Sequence, residues 1–249
     1  VTREVEWLLI ATVILAAGVL KGSIGFGAPL IAVPLLAPLV GTRTTIVLIA
    51  LPLLVANATV LVSRPSERRA IRRFIPLLVT LIPMTVLGGV LLARVDIATL
   101  TIVVGAITIV FVAITASGIQ ILIPPRLERT LSLLVGLVAG VLSGATSAPG
   151  PIFSLYLSGL RLDKRAFVYG ITVLLAVGNV VQVLTYWQQG LFAGNLLIGS
   201  IALVPVIVLG QLAGLRIQDR LNPEAFRRVV LIVVALAGAN LLLRGLGIL

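Results

Sequence analysis

Stretches of about 19–27 residues without a charge recur along this chain, among them 44–62, 74–93, 97–123, 166–187 and 193–215. A helix needs roughly 20 predominantly apolar residues to cross a bilayer, so each reads as a membrane span. Composition agrees. Of 249 residues 59% are hydrophobic and 11% charged, against about 25% charged in a soluble domain. The expected class is an all-α polytopic membrane protein embedded in a lipid bilayer.

Shifted by 122 residues, the chain matches itself. "AGVLKGSIGFGAP" (17–29) lies over "AGVLSGATSAPGP" (139–151). The same shift carries Arg43 onto Arg165, Asn57 onto Asn179, Pro83 onto Pro205, Gly88 onto Gly210 and Arg94 onto Arg216. Two homologous halves are expected, 1–123 and 124–249, forming one membrane domain.

Charge then orients the halves. Loop 63–73 holds five arginines and its repeat partner, 188–195, none; the turn at 41–43 has one basic residue and its partner, 161–165, three. Basic residues are retained on the cytoplasmic side. Loops 63–73, 124–129, 161–165 and 216–228 are therefore expected to be cytoplasmic, and they hold fourteen of the nineteen basic residues. Loops poor in charge in one half are rich in the other, which predicts an inverted-topology repeat, a common transporter architecture. Segment 130–160 lies between two cytoplasmic loops and must enter and return. Each half is then a re-entrant hairpin of two short helices plus three transmembrane helices. The alternative, one long kinked span per hairpin, breaks the charge pattern.

The hairpins turn at "GSIGFGAP" and "GATSAPGP". Broken backbone at membrane depth survives only where protein or a water-filled cavity satisfies it. Glycines allow the turn, and Pro29 and Pro151 suit the first turn of the returning helix. Helix N-termini at the midplane favour an anion. Lys21 is the one charge placed within the hydrocarbon, and such a charge is a functional-site candidate by default; snorkelling or capping of the preceding half-helix is the alternative. Its repeat mate is Ser143. The candidate substrate-binding residues are Lys21, Gly22, Ser23, Gly25, Gly27, Asn57, Ser143, Thr146, Ser147, Gly150, Asn179 and Gln182. Gln182 lies one turn after Asn179 on the same face. For the asparagines an interhelical hydrogen bond is the competing role. Pro83 and Pro205 are expected to kink their spans, and Arg43, Arg94, Arg165 and Arg216 to anchor at interfaces.

Cysteine and histidine are both absent. No thiol chemistry, metal site or cofactor is expected, and no catalytic residue: only Lys21 stands near Ser143, Thr146 and Ser147 as a base. Aromatics are too sparse among the basic residues for nucleic-acid binding. No P-loop, G-x-x-x-x-G-K-[ST], occurs in this sequence, so ATP-driven transport would need a partner.

The twin motifs "AGVLKGSIGFGAPLIAVPLL" and "GLVAGVLSGATSAPGPIFSLYL" resemble the TauE/SafE sulfite-exporter family, also called TSUP, over essentially the whole chain. The resemblance implies a prokaryotic inner-membrane protein that moves small sulfur-containing anions such as sulfite, thiosulfate or sulfonates. The second motif departs from the family's glycine-rich G-x-G-G, reading "SAPG" at 147–150. The expected function is a secondary transporter and exporter of such an oxyanion, bound at the midplane between two half-helix N-termini and Lys21. An anion channel on the same scaffold and a non-transporting subunit of a complex are the alternatives. A homodimer is left open. The membrane potential drives an anion out of a negative cell with about 2.3 kcal/mol per charge per 100 mV.

Overall fold

The computed structural model describes residues 3–63, 68–117, 122–160, 162–217 and 223–248. These fold into ten helices and, among the described residues, no strand: α1 (Arg3–Ile24), α2 (Ala28–Val40), α3 (Thr42–Ser63), α4 (Arg68–Arg94), α5 (Ile97–Ser117), α6 (Pro125–Thr146), α7 (Gly150–Gly159), α8 (Lys164–Gln188), α9 (Leu196–Ile217) and α10 (Pro223–Gly245). Seven described segments are long and apolar enough to cross a membrane, and they lie in α1, α3, α4, α5, α6, α8 and α9. The chain is a polytopic all-helical membrane protein. Helices α3, α4, α5, α8 and α9 cover most of the stretches 44–62, 74–93, 97–123, 166–187 and 193–215, respectively. The basic residues Arg64, Arg161 and Arg220, which enter the sidedness argument, lie outside the described residues.

Helix starts recur 122 residues apart: 3 and 125, 28 and 150, 42 and 164. The compact units nevertheless mix the two sequence halves. Unit 1 comprises Val1–Pro52, Val95–Ile119 and Gly194–Leu249; unit 2 comprises Leu53–Arg94 and Gln120–Ala193.

In unit 1, α1 packs on α9. The seam is made of glycines. A Cβ at Gly18 would lie 2.5 Å from the Ile207 carbonyl oxygen, one at Gly22 would lie 2.2 Å from that of Gln211, and one at Gly214 would lie 2.2 Å from that of Val19. Small residues let helix backbones approach to this range in membranes, where packing and weak Cα–H···O contacts replace the hydrophobic drive. Trp7 meets Gly199 at the other end of the seam, so the two helices run parallel. Ser200 Oγ donates to the Leu48 carbonyl at 2.8 Å, which sets the start of α3 beside the start of α9. The chain therefore runs out along α1, breaks, and comes back through α2 to the end it started from. Arg43 donates to the Val95 carbonyl at the α4–α5 turn, so this residue, expected as an anchor, also ties two helix ends together. Thr42 and Thr101 hydroxyls bond at 2.7 Å beside it.

Unit 2 repeats the arrangement with α6 on α4. A Cβ at Gly144 would lie 2.1 Å from the Thr85 carbonyl oxygen, and one at Gly88 would lie 2.2 Å from that of Val141. Helix α8 also runs parallel to α4: Gly170 faces Phe74 and Gly89 faces Thr185. The Ser132 and Tyr156 hydroxyls join the start of α6 to the far part of α7, so this hairpin closes too. Arg73 and Glu128 pair across α4 and α6 at the same end.

Two expectations change here. The first arm of each hairpin is a full 22-residue helix, and only the second arm is short, 13 residues in α2 and 10 in α7. No proline interrupts 3–24, and the glycines within it face a neighbouring helix, so nothing stops the first arm early. As a result the breaks lie past the middle of their neighbours. Gly22 is level with Gly214 near the end of α9, and Gly144 with Gly88 in α4. That places Lys21 and Thr146 about 10 Å beyond the centres of those spans, rather than at mid-depth.

The two seams also differ in register. Gly210 meets the Leu15 carbonyl and Gly18, whereas its counterpart Gly88 meets Val141 and Ala145, the counterparts of Val19 and Ser23. The offset is one helical turn, about 6 Å along the axis.

Candidate functional site

In unit 1 the break is narrower than the motif suggested. Helix α1 continues through Ile24, and only Gly25, Phe26 and Gly27 lie outside helices. Gly25 (φ 96°) and Gly27 (φ 98°) adopt the left-handed conformation, which is unstrained only for glycine. The Gly25 N–H donates to the Lys21 carbonyl at 2.7 Å and closes the last turn of α1. Space beside Gly25 is open: a Cβ there would meet nothing within 4 Å. Lys21 is buried, at 4% exposure, in that last turn. Gly22 and Ser23, expected in the turn, sit within α1 instead. Gly22 packs against α9, and the Ser23 hydroxyl faces the Val19 carbonyl at 2.9 Å and the Gly214 carbonyl at 3.3 Å.

Prolines limit what the returning helix offers. Pro29 has no N–H, and the Leu30 N–H bonds back to the Gly27 carbonyl at 3.0 Å. The remaining N–H of this first turn belongs to Ala28. In α7 the Ile152 and Phe153 N–H groups both return to the Pro149 carbonyl, at 3.1 and 3.2 Å. Gly150 stands between two prolines and carries the free N–H there. Each short helix thus brings one backbone donor near its start, fewer than the four orphan groups of an ordinary helix N-terminus.

Unit 2 brings Asn57, Asn179, Gln182 and Ser147 into one directed chain of hydrogen bonds. Asn57 Nδ2 donates to Asn179 Oδ1 at 2.7 Å, and Asn179 Nδ2 donates to Gln182 Oε1 at 3.0 Å. Gln182 Nε2 donates to Ser147 Oγ at 2.5 Å and to the Tyr186 hydroxyl at 2.7 Å. Tyr186 in turn donates to the Gly144 carbonyl at 2.6 Å. All five side chains are buried. The asparagines therefore do make the interhelical bond that was their competing role. Thr146 donates to the Leu142 carbonyl at 2.8 Å and accepts from the Ala148 N–H at 3.3 Å. Ser143 packs against α8 at Gly178.

Ser147 is the one described residue other than glycine with a positive φ, 60°. It occupies the place of Gly25, and its N–H bonds to the Ser143 carbonyl at 3.1 Å just as Gly25 bonds to Lys21. Left-handed backbone costs an L-residue roughly 1–2 kcal/mol, and such strain persists only where the surroundings over-determine it. Here the serine hydroxyl is held by Gln182. Tyr186 was missed from sequence. The signal was available: it stands four residues after Gln182 and seven after Asn179, on the same helical face.

Two broken helices thus each carry a buried polar side chain at the break, Lys21 at the end of α1 and Ser147 just past α6. A family model described as sulfite exporter TauE/SafE matches residues 10–241, nearly the whole chain. The chain belongs to the TauE/SafE sulfite-exporter family. Neither a curated protein nor a solved structure gives a significant match. The TauE/SafE match spans both glycine-rich breaks and all twelve candidate residues. Among the described residues, no cluster of metal-ligating side chains accompanies them.

Proposed function

We propose that this TauE/SafE protein is a secondary transporter that exports a small sulfur-containing oxyanion such as sulfite, thiosulfate or a sulfonate. The observation that carries the reading is Lys21, a lysine buried in the last turn of a broken membrane helix, beside the open space at Gly25 and the start of α2. A buried ammonium and a helix N-terminus both favour negative charge. In unit 2 the corresponding break offers hydroxyl and amide groups and, among the described residues, no buried cation. The basic loops support an inverted topology with loops 63–73, 124–129, 161–165 and 216–228 in the cytoplasm of a prokaryotic cell. The one-turn difference between the α1–α9 and α6–α4 seams favours a carrier over a channel on the same scaffold. Inverted repeats held in two different registers are what alternating access requires.

The test is thermal stabilisation of the purified protein by sulfite, thiosulfate, sulfate, sulfoacetate, taurine and acetate, in wild type and Lys21→Gln. A ligand at 100 times its dissociation constant adds about 2.7 kcal/mol. The expected result is stabilisation of wild type by at least one sulfur anion, lost in Lys21→Gln. Equal responses in both proteins would refute the role of Lys21.

A further inference from the structure

Resting on the anion-transport reading and narrowing it, we infer that Lys21 fixes the charge of the substrate at one. The site takes singly charged anions, hydrogensulfite and simple sulfonates, and rejects dianions such as sulfate, thiosulfate and sulfoacetate. The argument is a charge balance. Among the described residues of the whole chain, Lys21 is the one charged residue that is buried. The helices packed most closely against α1 bring no second charge to that depth. Helix α2 contains no charged residue, and α9 contains only Arg216, which is exposed in its last turn.

Backbone dipoles do not supply the difference. An ordinary helix start is equivalent to about half a positive charge, carried by its open N–H groups. The first turn of α2 keeps only the Ala28 N–H, since Pro29 has none and the Leu30 N–H returns to the Gly27 carbonyl. One ammonium and one amide balance one negative charge, and a second stays uncompensated among membrane helices. A lone charge at the centre of a bilayer costs about 70- to 400-fold in an equilibrium. Lys21 lies about 10 Å from the centre of its span, so only part of that penalty applies, and discrimination of about tenfold or more is expected. A neutral solute fails for the converse reason: it leaves the ammonium unbalanced.

Titration calorimetry on the purified protein, at constant ionic strength so that screening is equal, tests this with two pairs of ligands. Isethionate and sulfoacetate share a sulfonate and nearly a length, and differ by one charge. Methanesulfonate and methanesulfonamide share a shape, and only the first is charged. Wild type should bind isethionate about tenfold or more tightly than sulfoacetate, and methanesulfonate about tenfold or more tightly than methanesulfonamide. Lys21→Gln should lose the second preference and bind the sulfonamide at least as tightly as the sulfonate. A lysine that only caps α1 would lower the melting temperature when replaced and leave the order of ligands unchanged. Sulfoacetate or thiosulfate bound by wild type as tightly as the best singly charged anion overturns the inference, and so does an unchanged order in Lys21→Gln. If that variant does not fold, the wild-type comparison decides alone. Tight binding of dianions that is lost in Lys21→Gln removes the inference and leaves the transport reading standing. Binding of no anion of either charge overturns both.

Discussion

Replacing Gly22 by alanine should separate packing from substrate binding at the first break. The new Cβ would lie 2.2 Å from the Gln211 carbonyl oxygen and 3.0 Å from the Gly214 Cα, where ordinary contact begins at 3.4 Å. Neither neighbour is a flexible side-chain tip, so α1 and α9 must part by about 1 Å. A gap of that size forfeits roughly a quarter to a half of the attraction at each contact along the seam. Overpacking of this kind costs about 1–3 kcal/mol, or about 5- to 150-fold in the unfolding equilibrium. Unfolding in mixed micelles by titration with SDS measures it. Trp7 lies on Gly199 in the same seam, and Trp187→Phe leaves it as the sole tryptophan reporter. Leu8→Ala is the control. Leu8 is 67% exposed on the same helix, and surface changes usually stay within about 0.5 kcal/mol. If Gly22→Ala unfolds with Leu8→Ala and instead weakens anion binding, Gly22 belongs to the site, and the described seam is wrong.

Two further perturbations probe unit 2. Asn57→Leu and Asn179→Leu, singly and together, should show a coupling energy of about 0.6–2 kcal/mol in a double-mutant cycle; additive effects would mean that the 2.7 Å bond contributes nothing. Glu128→Gln should destabilise by no more than about 1 kcal/mol, since Arg73 is partly exposed. Raising the salt concentration should shrink that loss, and a loss independent of salt would refute an ionic role for the pair.

Much of this was legible in the sequence because membrane spans announce themselves by the absence of charge, and a repeat announces itself by register. The breaks at Gly25 and Ser147 fell inside the motifs that predicted them. What was misread comes down to ambiguity in glycine. At Gly25 and Gly27 it supplies a backbone conformation, and at Gly22 and Gly144 it supplies absence of bulk; the letter is the same. Only the partner helix distinguishes them, and α9 lies far along the chain from α1. The amides were read as donors for a ligand because their mutual hydrogen bonds depend on how α3 and α8 face each other. The prolines were read as harmless at a helix start, which they are, but they also remove the N–H groups that an anion would use.

The pairing of α1 with α9 has a consequence for the nascent chain. Helix α9 begins 193 residues after α1 begins. At about 5–20 residues per second, α1 waits about 10–40 s for the partner that covers its glycines. Helix α6 meets no such delay, because α4 precedes it. Every residue of unit 2 has been made by Ala193, while unit 1 still lacks α9 and α10. A ribosome paused there holds one unit ready to close and, in α1, a helix whose glycine face and buried lysine lie open to whatever chaperone or protease patrols the membrane.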